Sequence, residues 1–294
     1  LGTDGRMMHK SYGNYVPASE PVERYGADAT RWWAIAGGAT GSDIPFRWGE
    51  VQHGWRFLRK LWNAARFVSI QLSDYEPSEG EPELKTLDKW LLSKLARTIE
   101  EATEALEECR FNMALDAIRR FTWSLFCDQY IEAVKHRLYG PEKYGPEARR
   151  SAQHTLYKAL YAIIRLLAPF CPHITEEIYQ ALFRPYEGHK SVHISPWPEP
   201  PEGYPDEEAE REGDLVVALI SAIRREKARR RLPLNAPLER VVVFAGSQER
   251  AEAIRACEDD IMGTCKIREL EVRAEGGEGV QVEGYPGLSF SIQA

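Results

Sequence analysis

The chain has 294 residues, enough for two or three domains, with 43% apolar and 28% charged residues, the ordinary balance of a globular protein. Its net charge of −7 argues against a uniformly basic nucleic-acid binder and turns the search to local clusters. No apolar run approaches the roughly 20 residues that span a bilayer, no secretory leader pattern opens the chain, and the five scattered cysteines, none spaced Cys-x-x-Cys, argue against a zinc ribbon or a disulfide framework. That cysteine usage suits a reducing, cytoplasmic setting, with each thiol expected as a small buried apolar group.

The first motif is Arg6–Asn14. Lys10 and Ser11 stand just ahead of Gly13 and Asn14. Lysine offers a mobile charge to phosphate, serine and asparagine offer neutral donors, and glycine lets backbone N–H groups approach an anion. Taken locally, the same string also reads as a solvated turn. The chain opens on Leu1 and reaches this motif at once, so it is expected to be a piece of a longer polypeptide.

Pro21–Ala36 reads as one helix, with Glu20 and Glu23 near its positive end. Residues 35–46 are Gly-rich and read as a loop. From Trp48 to Gln71, Val51, Trp55, Leu58, Leu61, Trp62, Ala65 and Val68 recur at three- and four-residue steps, a helical stripe, while Arg56, Arg59, Lys60 and Arg66 take other positions. Residues 74–82, with Pro77, Gly80 and Pro82, read as a linker.

Three long helical patterns follow, marked by Leu87–Leu106, Phe126–Leu138 and Leu156–Leu167, with breaks at residues 110–112, 140–146 and 169–172. A shorter helix runs from Pro172 to Phe183. Beyond a Pro- and Gly-rich connection come a helix at Leu215–Arg231, a strand at Leu238–Ala245, a helix at Ser247–Met262, a strand at Lys266–Arg273, and one or two more strands within Gly279–Ile292. The expected fold is mainly α. An antiparallel helix bundle (48–183) is preceded by a short connecting fold (1–47). It is followed by a connection (184–213) and a small α/β domain (214–294).

Two clusters in this layout suit nucleic acid. Asn63 and Phe67, at i and i+4, share a helix face with Arg66 close by; an amide can read a base edge and a ring can stack on a base. Arg224–Arg231 is the densest basic run, with Arg225, Arg229 and Arg230 as candidate phosphate contacts and Glu226 at pairing distance for a self-neutralised face. Trp123 and Lys135 are weaker candidates. His173 and His193 have no matching ligands nearby in sequence and read as structural, so no metal site is expected. Asp128, Glu132, Lys135 and Arg137 read as ion pairs on an exposed face.

Longer strings carry a resemblance. Met8, Lys10, Ser11, Gly13, Asn14, Pro17, Tyr25, Gly26, Ala27, Asp28, Ala29 and Arg31 fall in register with the second signature of class I aminoacyl-tRNA synthetases. That signature is a Lys-Met-Ser-Lys-Ser loop followed by Leu-Gly-Asn and Tyr-Gly-Ala-Asp-Ala-x-Arg. Met7 and His9 depart from it. Trp62–Phe67 and Leu167–Glu177 are similar to the anticodon-binding bundle of the valine, isoleucine and leucine subgroup, and Ser191-Val192-His193 with Trp197-Pro198 to the segment just after it. Gly41–Phe46, Phe126–Glu132 with Lys135, Arg137, Leu138 and Tyr139, and Leu234–Leu238 look valyl. The end of the chain lacks a long heptad pattern, which fits an archaeal-like form.

The resemblance implies a ligase that activates valine with ATP and Mg²⁺ and esterifies it to the valine isoacceptors of tRNA. It assigns catalysis to Lys10, through charge stabilisation on the ATP phosphates, and ATP binding to Lys10, Ser11, Gly13 and Asn14. A His-Ile-Gly-His-like string and a Rossmann half are missing from the chain. The piece is therefore expected to bind the tRNA anticodon region without charging tRNA itself. Another synthetase of the subgroup, or a non-catalytic tRNA-binding paralogue, fits the same strings.

Overall fold

The computed structural model describes residues 1–77 and 80–293. The fold is a mainly α-helical bundle with one small sheet. Two residues of the stretch read as a linker, 78 and 79, lie outside the described residues. The chain divides into two compact units, Leu1–Ser78, Leu95–Cys127 and Leu156–Glu202 in the first, and Glu79–Lys94, Asp128–Thr155 and Gly203–Ala294 in the second. Each unit gathers separate stretches of chain, so neither coincides with one of the linear segments 1–47, 48–183, 184–213 or 214–294.

The first unit begins with the signature loop and two short helices, α1 (Ser19–Tyr25) and α2 (Ala27–Ala36). A single helix was expected here. Gly26 divides it, because its φ of 87° and ψ of 164° lie outside the helical region and suit glycine alone. Helix α3 (Trp48–Gln71) has the expected bounds. Its buried stripe is Val51, Phe57, Leu58, Leu61, Ala65 and Val68, while Trp62 is 45% exposed and does not belong to it. Gly54 permits the close approach of α2: a Cβ there would lie 2.7 Å from the Trp32 ring. Trp32 in turn stacks on Phe57, with centroids 4.5 Å apart.

Helix α4 (Thr86–Glu107) starts in the second unit and ends in the first. The next helix runs unbroken from residue 111 to 139, as α5 (Phe111–Arg120), a π-helical stretch (Phe121–Tyr130) and α6 (Ile131–Tyr139). A short α7 (Pro141–Tyr144) leads into α8 (Pro146–Leu167), whose second half returns to the first unit. There α9 (Pro172–Leu182) and the one-turn α10 (Arg184–Glu187) complete it. Leu95, Ile99, Ile118, Phe121, Leu160, Ile163 and Ile178 are fully or almost fully buried, which is the core the three- and four-residue spacing called for.

The second unit holds the remaining elements. Helix α11 (Glu207–Arg229) begins eight residues before the expected Leu215. Asp206 caps it, accepting from the N–H groups of Glu208 and Ala209, and three glutamates in the first turn suit the positive helix end. The sheet has the order β2-β1-β4-β3, from β1 (Leu238–Phe244), β2 (Ile267–Arg273), β3 (Val280–Gln281) and β4 (Ser289–Gln293). Strand β1 is parallel to β2 and antiparallel to β4. The segment expected as one helix between β1 and β2 is two, α12 (Gln248–Ala256) and α13 (Glu258–Cys265), with Ser247 capping the first.

Within this unit the expectation for Arg137 fails. Its side chain is 1% exposed, not on a solvated face. Its guanidinium donates to Asp88 at 2.9 and 3.1 Å and, through Nε, to Asp260 at 2.6 Å. Tyr130 and Ser151 also donate to Asp88, and His136 Nε2 lies 3.1 Å from Asp260. A solvated charge on α6 would leave these two buried carboxylates unpaired, which is far costlier than burying the arginine with them. Four cysteines are buried as expected, whereas Cys109 is exposed at a φ of 57°, where the chain turns between α4 and α5.

Candidate nucleic-acid interface

The signature loop is tied together by its own residues. Lys10–Tyr12 form a 3-10 turn closed by Gly13 at a φ of 67°. Lys10 and Ser11 are exposed, and the Lys10 ammonium lies 5.6 Å from the Tyr15 ring centroid. Asn14 is buried and fully engaged. Its Nδ2 donates to the Met7 carbonyl and to Asp4, both at 3.1 Å, and its Oδ1 accepts from the His9 N–H at 2.8 Å. Lys10 and Ser11 thus stand on the solvent side of the loop, while Asn14 holds its shape. His9 shares a 2.8 Å hydrogen bond with the Ser11 hydroxyl. The Arg6 backbone N–H, and after it the Asn14 amide, hold the Asp4 carboxyl below its ordinary range.

The second half of the signature does a mechanical job. Asp28 on α2 accepts from the N–H groups of His173 and Ile174, at 3.3 and 2.8 Å, and so caps α9 from 145 residues away. Arg31, one turn on, donates to the carbonyls of Phe170 and Pro169 at 3.1 and 2.8 Å. Together they fasten α2 across the α8–α9 turn. His193 Nε2 meets the Pro172 carbonyl at 3.2 Å.

Helix α3 lies beside this joint. Asn63 and Arg66 are exposed and Phe67 is half-buried. The exposed face also carries Arg56, Arg59 and Trp62. Residues 56, 59, 63 and 66 recur at helical steps and form one stripe. Among the described residues no carboxylate pairs with Arg56, Arg59 or Arg66; Arg59 rests instead over the Trp55 ring at 4.7 Å. Lys60, at the edge of the stripe, lies 3.9 Å over Trp123 from the π-helical stretch.

The basic run on α11 is different. Glu226 is buried and binds Arg229 at 2.7 and 3.0 Å and Arg230 at 2.7 Å. Those two arginines hold the Glu226 carboxyl below its ordinary range. Arg225 pairs with Glu283 at 3.0 Å, across exposed surface. Lys227 is wholly buried and donates to the carbonyls of Leu234, Ala236 and Cys265. The densest positive cluster in the sequence is therefore partly paired, with Arg229 and Arg230 sharing one carboxylate, and the sparser one on α3 is not. Sequence reading picked Asn63, Arg66 and Phe67 but placed Trp62 in the core and left out Arg56 and Arg59. The steps of three and four linking the arginines were the available signal.

Comparison with known proteins identifies the family. The profile of the anticodon-binding domain of tRNA ligase matches residues 88–243, more than half of the chain. The valine–tRNA ligase of Methanothermobacter thermautotrophicus is 45% identical over 274 residues, 93% of this chain and 30% of that protein. That of Pyrococcus furiosus is 45% identical over 292 residues, 99% of this chain and 31% of the relative. The chain thus spans about three-tenths of the length of these relatives. A LeuRS from Agrobacterium radiobacter, solved in a ternary complex with tRNA and LeuAMS, shares the fold with a TM-score of 0.51 and 25% identity over 69% of this chain and 24% of that one. The valyl resemblance read from the motifs agrees with these relatives. The chain belongs to the family of anticodon-binding domains of tRNA ligases.

Proposed function

We propose that this chain supplies anticodon-arm recognition to a cytoplasmic valine–tRNA ligase, through the exposed face of α3. The observation that carries the reading is the stripe of Arg56, Arg59 and Arg66, which no carboxylate neutralises among the described residues. Unpaired cations on a rigid helix attract phosphate, and Asn63 and Phe67 add a base-edge amide and an aromatic surface. Arg225, Arg229 and Arg230 enter as secondary backbone contacts, weakened because each already has a glutamate partner. The complete ligase would activate valine with ATP and Mg²⁺ and charge valine tRNA. In it, Lys10 stabilises the ATP phosphates, with Ser11 and the Gly13 turn beside it and Asn14 holding the loop. The chain by itself binds tRNA and does not aminoacylate it.

The test is the salt dependence of binding to valine tRNA. Each lost phosphate contact lowers the log–log slope by roughly 0.7 to 0.9. Replacing Arg56, Arg59 and Arg66 together by Gln should flatten the slope by about 2. The same change at Arg225, Arg229 and Arg230 should flatten it by less than about 1. A slope unaltered by the α3 substitutions refutes the assignment.

A further inference from the structure

Trp62 is the largest side chain on the exposed face of α3, and 45% of it is open to solvent. It forms a ridge between two clefts of the first unit. One, of about 610 Å³, is lined by Trp55, Arg59, Asn63, His173 and, on the far wall, the carboxylates Asp28 and Glu177, as well as by Trp62 itself. The other, of about 170 Å³, has Arg66, Ser69, Ile178 and Leu182 along its wall. Both are open at the surface and predominantly apolar. Arg59 stands one helical turn before Trp62, and Arg66 one turn after it.

This combination selects its ligand. A partly exposed indole on a rigid helix is a flat apolar surface, which favours a flat apolar partner. Unneutralised arginines on either side require that partner to carry negative charge close to its ring. A nucleobase in a single strand has both properties, since its flanking phosphates lie to each side of the ring. A base inside a duplex does not, because its faces are covered by its neighbours. Phe67 is a poorer platform than Trp62, because less of its ring is open to solvent.

We propose that Trp62 is a stacking platform for one unpaired nucleobase of the bound RNA, with the flanking phosphates drawn to Arg59 and Arg66. The assignment rests on the anticodon-arm reading above and adds the residue that engages a base. Asn63, on the wall of the larger cleft, is the polar group nearest the edge of a base seated there.

The experiment uses this chain and a short RNA hairpin with an unpaired loop, carrying a fluorescent purine analogue at one loop position at a time. In the wild type, one position should be quenched on binding. Trp62→Ala should abolish that quench and raise Kd roughly 5- to 150-fold, the range of one lost base stack. The salt slope should stay unchanged, because no charge is removed. Trp62→Phe should keep the quench and lose less affinity. Trp62→Gln, which keeps a long side chain at an exposed helical position, should match Trp62→Ala and guards against a folding defect in the shorter variant. Wild-type Kd and quench in both Trp62→Ala and Trp62→Gln overturn the platform while leaving the anticodon-arm reading in place. An equal loss of affinity for a fully paired duplex also overturns it. A wild-type chain that binds no hairpin overturns both.

Discussion

Replacing Arg137 by Ala removes the guanidinium that bridges two buried carboxylates. Asp88 is 0% and Asp260 4% exposed, so neither can recover its lost partner from water. Asp88 keeps its bonds from Tyr130, Ser151 and the Lys85 N–H, while Asp260 keeps His136. Breaking a buried pair from one side costs about 3–5 kcal/mol, a large part of the roughly 5–15 kcal/mol that holds a domain together. The pH dependence has a definite sign. In the wild type, burial pushes the Asp260 carboxyl up, but Arg137 and then His136 pull it further down, to a net value below its ordinary one. A depressed carboxyl contributes stability that is present above its unfolded pKa, about 3.9 for aspartate, and lost as pH falls through the folded value. In Arg137→Ala burial dominates and the carboxyl rises above its ordinary value. Its penalty is then full at neutral pH and shrinks on acidification, as the buried acid takes up a proton. The stability gap between variant and wild type should therefore narrow from pH ~7 towards pH ~4. Urea unfolding at several pH values measures the gap, and hydrogen exchange in α6 and α13 locates it. A gap under about 1 kcal/mol at neutral pH, or one that does not narrow in acid, refutes the reasoning.

Asp28→Ala uncaps α9 at a buried position and should cost close to 2 kcal/mol, the upper end for a lost cap, with Asp28→Asn recovering part of it; thermal melts with hydrogen exchange on α9 check this, and unchanged protection there would contradict the cap. In the full-length ligase, Lys10→Ala should slow valine-dependent pyrophosphate exchange by orders of magnitude with little change in tRNA affinity. Asn14→Ala should impair the same step by loosening the loop, so that KM for ATP rises along with the fall in kcat; wild-type exchange rates in both variants would remove the loop from the chemistry.

The sequence alone determined what depends on neighbours close along the chain. The bounds of α3 follow from apolar residues at three- and four-residue steps, and the strand at Leu238 from its β-branched run. The turn at Gly13 and the capping serine before α12 are local in the same sense. So are the motifs that place the chain in its family. The tertiary structure decided which of several permitted faces is buried and which charge meets which. Helix α3 carries more apolar residues than one buried stripe can hold, so only packing against α2 and α9 turned Phe57 inward and left Trp62 outside. The partners of Arg137 lie 49 and 123 residues away, and periodicity on α6 cannot report them. Asp28 caps a helix 145 residues distant, although its motif was plain in the sequence. The basic run on α11 was equally plain, but its partial pairing depends on the burial of Glu226 and, for Arg225, on Glu283 brought alongside by the fold. Local propensity sets where helices and strands begin and end. Burial, and with it the strength of every charge, is a property of surfaces that meet only when distant segments fold together.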